Sequence, residues 1–206
     1  MFVTRHHGVT DRRVRDQLWS LFAIATGAAP STGRGRLLRT EVARADFDEQ
    51  LLRTTSRVWV VWADTAPIAA ALIETGAGPH GVPVPGDVVH HLRWVVSHPA
   101  HLGSGALVRL ARDAFAAEAA EGALLVFDAS DGAAVPVATD DATAVELVRR
   151  LAAMVAPGTE VVATEHEHTW VADFAGASRT DGGVGGVGGV GGVTAIAGPP
   201  EAPDQV

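Results

Sequence analysis

The residues best suited to chemistry form a short glycine-rich segment in the middle of the chain. Gly103-Ser104-Gly105 stands between a predicted strand and a predicted helix. Glycines in such a turn let main-chain N–H groups point into one concavity, and the helix start adds unpaired amides and the positive end of its dipole. Because glycine has no side chain, a bulky anion can approach closely, and the Ser104 hydroxyl can donate as well. The segment therefore predicts a phosphate-binding loop, although Gly-x-Gly also occurs in plain tight turns.

Candidate acid–base groups precede this loop. His90 and His91 are adjacent on a predicted strand, so their side chains should face opposite sides of the sheet. Strict alternation predicts that His90 shares its face with Leu92 and Trp94. His90 and Glu74 are the candidates for a general base, because an amine must lose a proton before it attacks a carbonyl group. The plainer interpretation is that both are polar residues at strand ends.

Composition limits the possible functions. With 206 residues and 47% hydrophobic content, the chain is long enough for one ordinary core. The absence of cysteine excludes disulfides, thiolate nucleophiles and cysteine-bound metals. No metal site is predicted, because the one histidine pair with ligand spacing, His166 and His168, lies where a hairpin turn is expected.

Charge and apolar runs point to a soluble protein. The net charge of −8 is spread along the chain and disfavours a nucleic-acid partner. No apolar run is long enough to span a membrane, and no signal-peptide pattern follows Met1. We therefore expect a cytoplasmic location with no membrane partner.

Hydrophobic periodicity predicts an α/β (α+β) domain over residues 1–176. Strands 88–97 and 123–127 are joined by a glycine loop and a helix, which predicts one parallel crossover in an otherwise mostly antiparallel sheet of six to seven strands. Residues 177–206 contain Gly-Gly-Val repeats and prolines, and we expect this tail to be disordered. Helices are predicted at 11–26, 38–54, 104–121 and 142–155, and strands at 2–7, 58–62, 67–74, 88–97, 123–127, 160–165 and 169–174.

The order of these elements, together with the sequence V-S-H-P-A-H-L-G-S-G at 96–105, resembles GNAT-type acetyl-CoA-dependent N-acetyltransferases. In that family a strand ends in Val-x-x-Pro and runs into an (Arg/Gln)-Gly-x-Gly-x-(Gly/Ala) turn. The resemblance spans about 170 residues in topology and about ten residues as motif. It implies a GNAT-like domain that transfers an acetyl group from acetyl-CoA to a primary amine of a small molecule or a protein.

The resemblance also implies roles for individual residues. The strands at 88–97 and 123–128 would splay apart and hold the pantetheine arm of coenzyme A between them, with the acceptor amine near Arg93, Trp94 and Asp128. Val95 or Val96 would offer a main-chain amide to the thioester carbonyl group. The diphosphate would be held by the main-chain amides of Leu102, Gly103, Ser104, Gly105 and Ala106.

Three departures from the family pattern keep an alternative open. Leu102 stands where the family has Arg or Gln, and Leu107 stands at the third small position. The chain has no tyrosine, so Ser130 or water would have to protonate the leaving thiolate. The alternative is a catalytically silent acyl-CoA-binding sensor or an interaction domain with the same fold. A homodimer is compatible with either function.

Overall fold

The computed structural model describes residues 1–26, 44–76, 88–128, 141–164 and 168–174. In these ranges seven strands form one sheet and four helices cover it. The strands are β1 (Phe2–His7), β2 (Ser56–Ala63), β3 (Ala66–Thr75), β4 (Val89–Ser97), β5 (Leu124–Asp128), β6 (Glu160–Ala163) and β7 (Thr169–Asp173), and the helices are α1 (Arg12–Ala25), α2 (44–52), α3 (Ala106–Glu121) and α4 (Asp141–Ala153).

The order of strands across the sheet is β1-β2-β3-β4-β5-β7-β6. Only β4 and β5 pair in parallel, and every other neighbouring pair is antiparallel. This confirms the predicted mixed α/β sheet with a single parallel crossover through α3. No helix in the described ranges is long and apolar enough to cross a membrane.

Helices α1 and α2 pack on one face of the sheet, and α3 and α4 pack on the other. The sequence offers Thr10 or Asp11 as the cap of the first helix, and the Asp11 carboxylate takes this role by accepting the amide of Arg13 at 2.8 Å. Helical spacing predicts that Phe47, Leu51 and Leu52 of α2 and Met154 after α4 lie on apolar faces. Phe47 and Leu51 are buried as predicted. The predictions for Leu52 and Met154 are wrong, because these side chains are 47% and 53% exposed.

A β-bulge in β4 breaks the alternation of side chains on this strand. Leu72 of β3 pairs with Trp94, whereas the next residue, Ile73, pairs with Leu92, so Arg93 is the extra residue. Leu92 consequently packs on the α3 face while Trp94 packs on the α1 face. His90 and Leu92 therefore share a face as predicted, but the prediction that Trp94 lies on the same face is wrong.

Candidate active site

Next to this bulge, β4 continues beyond the end of its pairing with β5 in the described part of the chain. Strands β4 and β5 pair only over four positions, from Val89 with Leu124 to Leu92 with Phe127. One residue further, Asp128 of β5 is still paired with Thr169 of β7, and β4 stays paired with β3 up to Ser97. In the described part of the chain, residues 93–97 have no strand partner on the β5 side. We call the space beside this unpaired edge of β4 the gap; it lies where the resemblance predicted a splayed pair of strands.

The backbone of β4 turns selected amides toward the gap. His98 donates its N–H to the carbonyl oxygen of Ile68 at 2.8 Å, next to β3. Because strand N–H groups alternate in direction, the amide of Val96 also faces β3, and those of Val95 and Ser97 face the gap. Of the two predicted donors to a thioester carbonyl group, Val95 therefore has the geometry that the role requires.

The opposite end of β4 shows why this alternation depends on the bulge. Gly76 donates its N–H to the carbonyl oxygen of Val89 at 3.1 Å, so Val89 faces β3. The main-chain N–H and C=O groups of odd-numbered residues point toward β3 before the bulge, and those of even-numbered residues do so after it. Without the extra residue Arg93, the amide of Val95 would be used in the β3–β4 ladder.

The glycine loop, defined here as residues 102–106, combines occupied and unoccupied amides. Gly103 and Gly105 have φ of 84° and 80°, a left-handed conformation that favours glycine. Leu102 and Ser104 donate to the carbonyl oxygens of Pro99 and His101 at 3.2 and 3.1 Å, and Ala106 donates to the Ser104 hydroxyl at 3.4 Å. Three of the five predicted phosphate donors are thus engaged within the protein.

The remaining donors lie in the loop and the first turn of α3. The first helical bond closes from the Arg109 amide to the Gly105 carbonyl group at 2.9 Å. Within the described residues, no protein group accepts from the amides of Gly103, Gly105, Leu107 or Val108. Four main-chain N–H groups at the positive end of a helix form a site that suits a phosphate group.

Two histidines flank the glycine loop. The rings of His98 and His101 meet edge to face, with centroids 5.6 Å apart. His98 Nδ1 accepts the amide of Ala100 at 3.2 Å, which leaves Nε2 as the ring nitrogen that can donate to a ligand.

Glu74, a predicted base, is held between two arginines. Its Oε1 accepts from Arg53 Nη1 at 2.8 Å, and its Oε2 lies 3.0 Å from Arg93 Nε. Glu74 pairs with His91 across β3 and β4, on the face covered by α1 and α2. Both carboxylate oxygens are therefore engaged by guanidinium groups.

His90, the other predicted base, lies on the opposite face, under α3. Its ring is 2% exposed, and its Nδ1 is hydrogen-bonded to the carboxylate of Glu118, which is fully buried. Arg57 reaches the same carboxylate at 3.5 Å and binds both oxygens of Glu121 at 2.8 Å. These bonds from Arg57 hold the pKa of Glu121 below its ordinary value. The structure thus does not bring His90 and Glu74 together, and Ser130 lies outside the described residues, so the catalytic roles of all three stay predictions.

The sequence reasoning overlooked Glu118. It follows Ala111, Ala114 and Phe115 at helical spacing, so it lies on the buried stripe of α3. A buried acidic residue requires a hydrogen-bond or ion-pair partner. An acidic residue on this apolar stripe therefore indicates a buried polar contact, and this signal was present in the sequence. The buried pair that it forms with His90 fastens the end of α3 to the sheet.

An apolar cavity lies between the sheet and helices α3 and α4. Its volume is about 30 Å³, and the described residues that line it are all apolar. Three lining residues are partly exposed and form its mouth: Val95 on β4, Leu107 on α3 and Leu147 on α4. Leu107 belongs to the turn that holds the free amides, and Val95 carries the amide that faces the gap. The cavity mouth therefore lies between the two predicted halves of a coenzyme A site.

Comparison with solved structures identifies the fold. No protein-family model matches the chain, and no curated protein sequence matches it. A structure described as histone acetyltransferase HPA2 and related acetyltransferase, from Corynebacterium glutamicum, is 13% identical with a TM-score of 0.53, covering 84% of this chain and 94% of its own. A protein from Pyrococcus horikoshii OT3 is 9% identical with a TM-score of 0.53, covering 84% and 98%.

An enzyme of known substrate has the same architecture. An aminoglycoside acetyltransferase from an uncultured soil metagenomic sample, solved in complex with sisomicin, is 11% identical with a TM-score of 0.50, and the match covers 80% of this chain and 94% of that one. At these identities the likeness concerns the fold alone. The element order and the single parallel strand pair of this chain, together with these neighbours, show that it shares the fold of these acetyltransferases.

Proposed function

We propose that this protein is a cytoplasmic N-acyltransferase that moves an acetyl or other short acyl group from acyl-CoA to a primary amine of a small molecule or a protein. The observation that carries the proposal is the pairing of two features: a gap beside β4 with the Val95 amide turned into it, and four amides at the start of α3 that have no acceptor among the described residues. The Val95 amide suits the thioester carbonyl group at the acyl end of acyl-CoA, and the amides of α3 suit a phosphate group at its nucleotide end. Binding of acyl-CoA requires both features.

The proposed reaction needs little more than positioning. The pantetheine arm lies in the gap, and the Val95 N–H donates to the carbonyl oxygen of the thioester. The amine nitrogen attacks the carbonyl carbon, and the charge that develops on the oxygen is stabilised by this preorganised donor. The carbon–sulfur bond then breaks, the nitrogen gives its proton to water, and the coenzyme A thiolate takes up a proton from water or from Ser130, which regains its proton from water.

The protonation state of the acceptor follows from the surroundings of the candidate bases. Glu74 is bound by two arginines and His90 is buried against Glu118. In this proposal the acceptor therefore binds as its neutral amine, and the rate rises with pH as that amine loses its proton. The amine class is supported by the fold neighbour whose bound sisomicin is an aminoglycoside.

The first test places a negative charge in the glycine loop. We expect Gly103→Asp to weaken acetyl-CoA binding at least tenfold by isothermal titration, because a carboxylate would stand among the amides proposed to bind phosphate. A Cβ at Gly103 meets nothing within 4 Å, so the change tests charge more than packing.

Gly158 supplies a matched control for this test. It has φ of 96°, and a Cβ there also meets nothing within 4 Å, yet it lies beyond α4 and away from the loop. Gly158→Asp thus introduces the same side chain with the same left-handed strain. Equal binding by both variants, or no acetyl-CoA binding by the unmodified protein, would reject the proposed site.

A catalytically silent acyl-CoA sensor remains the second candidate. It is favoured by the engagement of both oxygens of Glu74 and by the absence of tyrosine from the chain. The two functions differ in one measurement, the release of free coenzyme A thiol when acyl-CoA is incubated with a panel of primary amines. Saturable binding without amine-dependent thiol release would identify the sensor.

A further inference from the structure

We propose that the apolar cavity under α3 and α4 receives the acyl chain of the donor, so that the protein prefers propionyl- or butyryl-CoA to acetyl-CoA. This inference rests on the proposed function and adds the class of acyl group to it. It is carried by the position of the cavity mouth, by its lining and by its size.

The position of the mouth brings the cavity next to the reacting carbon. Val95 contributes both the amide that faces the gap and a side chain that lines the mouth. A carbonyl oxygen accepts from an amide nitrogen at about 2.9 Å. The carbon of a thioester bound to the Val95 amide would therefore lie close to the Val95 side chain at the mouth. The acyl chain is the part of the donor attached to this carbon, and the cavity is the apolar space beside it.

The lining selects hydrocarbon. Every residue that lines the cavity in the described ranges is apolar, and those beyond the mouth are buried in the core. The pantetheine arm carries amide groups, which would be costly to bury there without hydrogen-bond partners. A saturated acyl chain has no such groups, and its transfer from water into an apolar space is favourable.

The size selects a short chain. Three alanines, Ala71, Ala111 and Ala114, lie around the cavity at positions where larger residues would fill it. Its volume of about 30 Å³ exceeds the ~10–15 Å³ that one water-sized group requires, so we expect room for one or two carbons beyond the acetyl group. Hexanoyl and longer chains exceed this space.

The test is a series of acyl-CoA donors measured with the full chain. We expect affinity to rise about fourfold for each methylene from acetyl to propionyl to butyryl, and to fall for hexanoyl-CoA. Isothermal titration gives these affinities without requiring an acceptor amine.

Filling the cavity should remove this preference. Ala114 is 2% exposed and lines the cavity, so Ala114→Val occupies the space and should bind acetyl-CoA and butyryl-CoA equally. Ala111→Val is a second filling variant in case the first does not fold. Ala116→Val is the matched control, because Ala116 lies on the same helix and is exposed.

The outcomes separate the two proposals. If no acyl-CoA binds, the proposed function itself fails. If acetyl-CoA binds as tightly as butyryl-CoA in the unmodified protein, or if the preference survives in a folded filling variant, the acyl-chain inference is overturned and the proposed function stands. A preference that is lost in Ala114→Val and kept in Ala116→Val supports it.

Discussion

Replacing Glu118 with alanine is expected to lower the free energy of unfolding by about 3–5 kcal/mol, the cost typical of breaking a buried ion pair by removing one partner. Glu118 is fully buried and its carboxylate faces His90 and Arg57. Its loss leaves the buried His90 ring without the partner of its Nδ1, removes one of the two carboxylates that contact Arg57, and leaves a void under α3. For a chain of this size the melting temperature should fall by roughly 6–20 °C, which a thermal unfolding curve followed by circular dichroism measures.

Glu121→Ala is the matched control for this prediction. It lies on the same helix and also binds Arg57, but its side chain is 36% exposed. Exposed ion pairs contribute about 0–1 kcal/mol, so this variant should melt within a few degrees of the unmodified protein. Similar decreases in melting temperature for the two variants would show that the burial of Glu118 does not increase its contribution to stability.

The parts of the fold that were predictable from sequence are those set by local signals. Asp11 caps α1, since an aspartate before an apolar helical stripe is a local arrangement. The hairpin of β2 and β3 follows from a run of β-branched and aromatic residues before Asp64-Thr65 and an apolar run after it. The glycine loop was also visible, because a left-handed backbone at Gly103 and Gly105 favours glycine.

The bulge at Arg93 could not be predicted in the same way. It is defined by the pairing of β4 with β3, two segments separated by residues 76–88, and no glycine or proline marks it. The assignment of Trp94 to the wrong face followed from this. The choice between Val95 and Val96 depends on the same register, so sequence left it open.

The occupancy of the loop amides is a second property that sequence does not show. It depends on the short turn Pro99–His101, whose carbonyl groups accept from Leu102 and Ser104. Residue types indicate that amides can converge at such a loop, but only the backbone path determines which of them stay free. The exposure of residues at helix ends is also hard to read from sequence. Leu52 directly follows the buried Leu51, and the two side chains differ only in the direction in which they point.

The bulge gives the Val95 amide a testable role that is separable from folding. This amide faces the gap, so removing it costs no hydrogen bond to β3. Proline has no N–H and is tolerated where a strand has no neighbour on that side. Val96→Pro, in contrast, would remove a bond of the β3–β4 ladder and should destabilise the sheet.

We therefore expect Val95→Pro to fold and to bind coenzyme A, but to transfer acyl groups about 10²–10³-fold more slowly, as when one donor to a developing oxyanion is removed. The loss should fall on kcat, because the free amides at Gly103 and Gly105 still hold the nucleotide end. Val95→Ala is the control, since it keeps the amide and removes only the side chain. Steady-state thiol release with a reactive primary amine measures both variants. Turnover by Val95→Pro within a few-fold of that by Val95→Ala would remove the amide from the mechanism, because the two variants differ chiefly in whether an N–H group faces the gap.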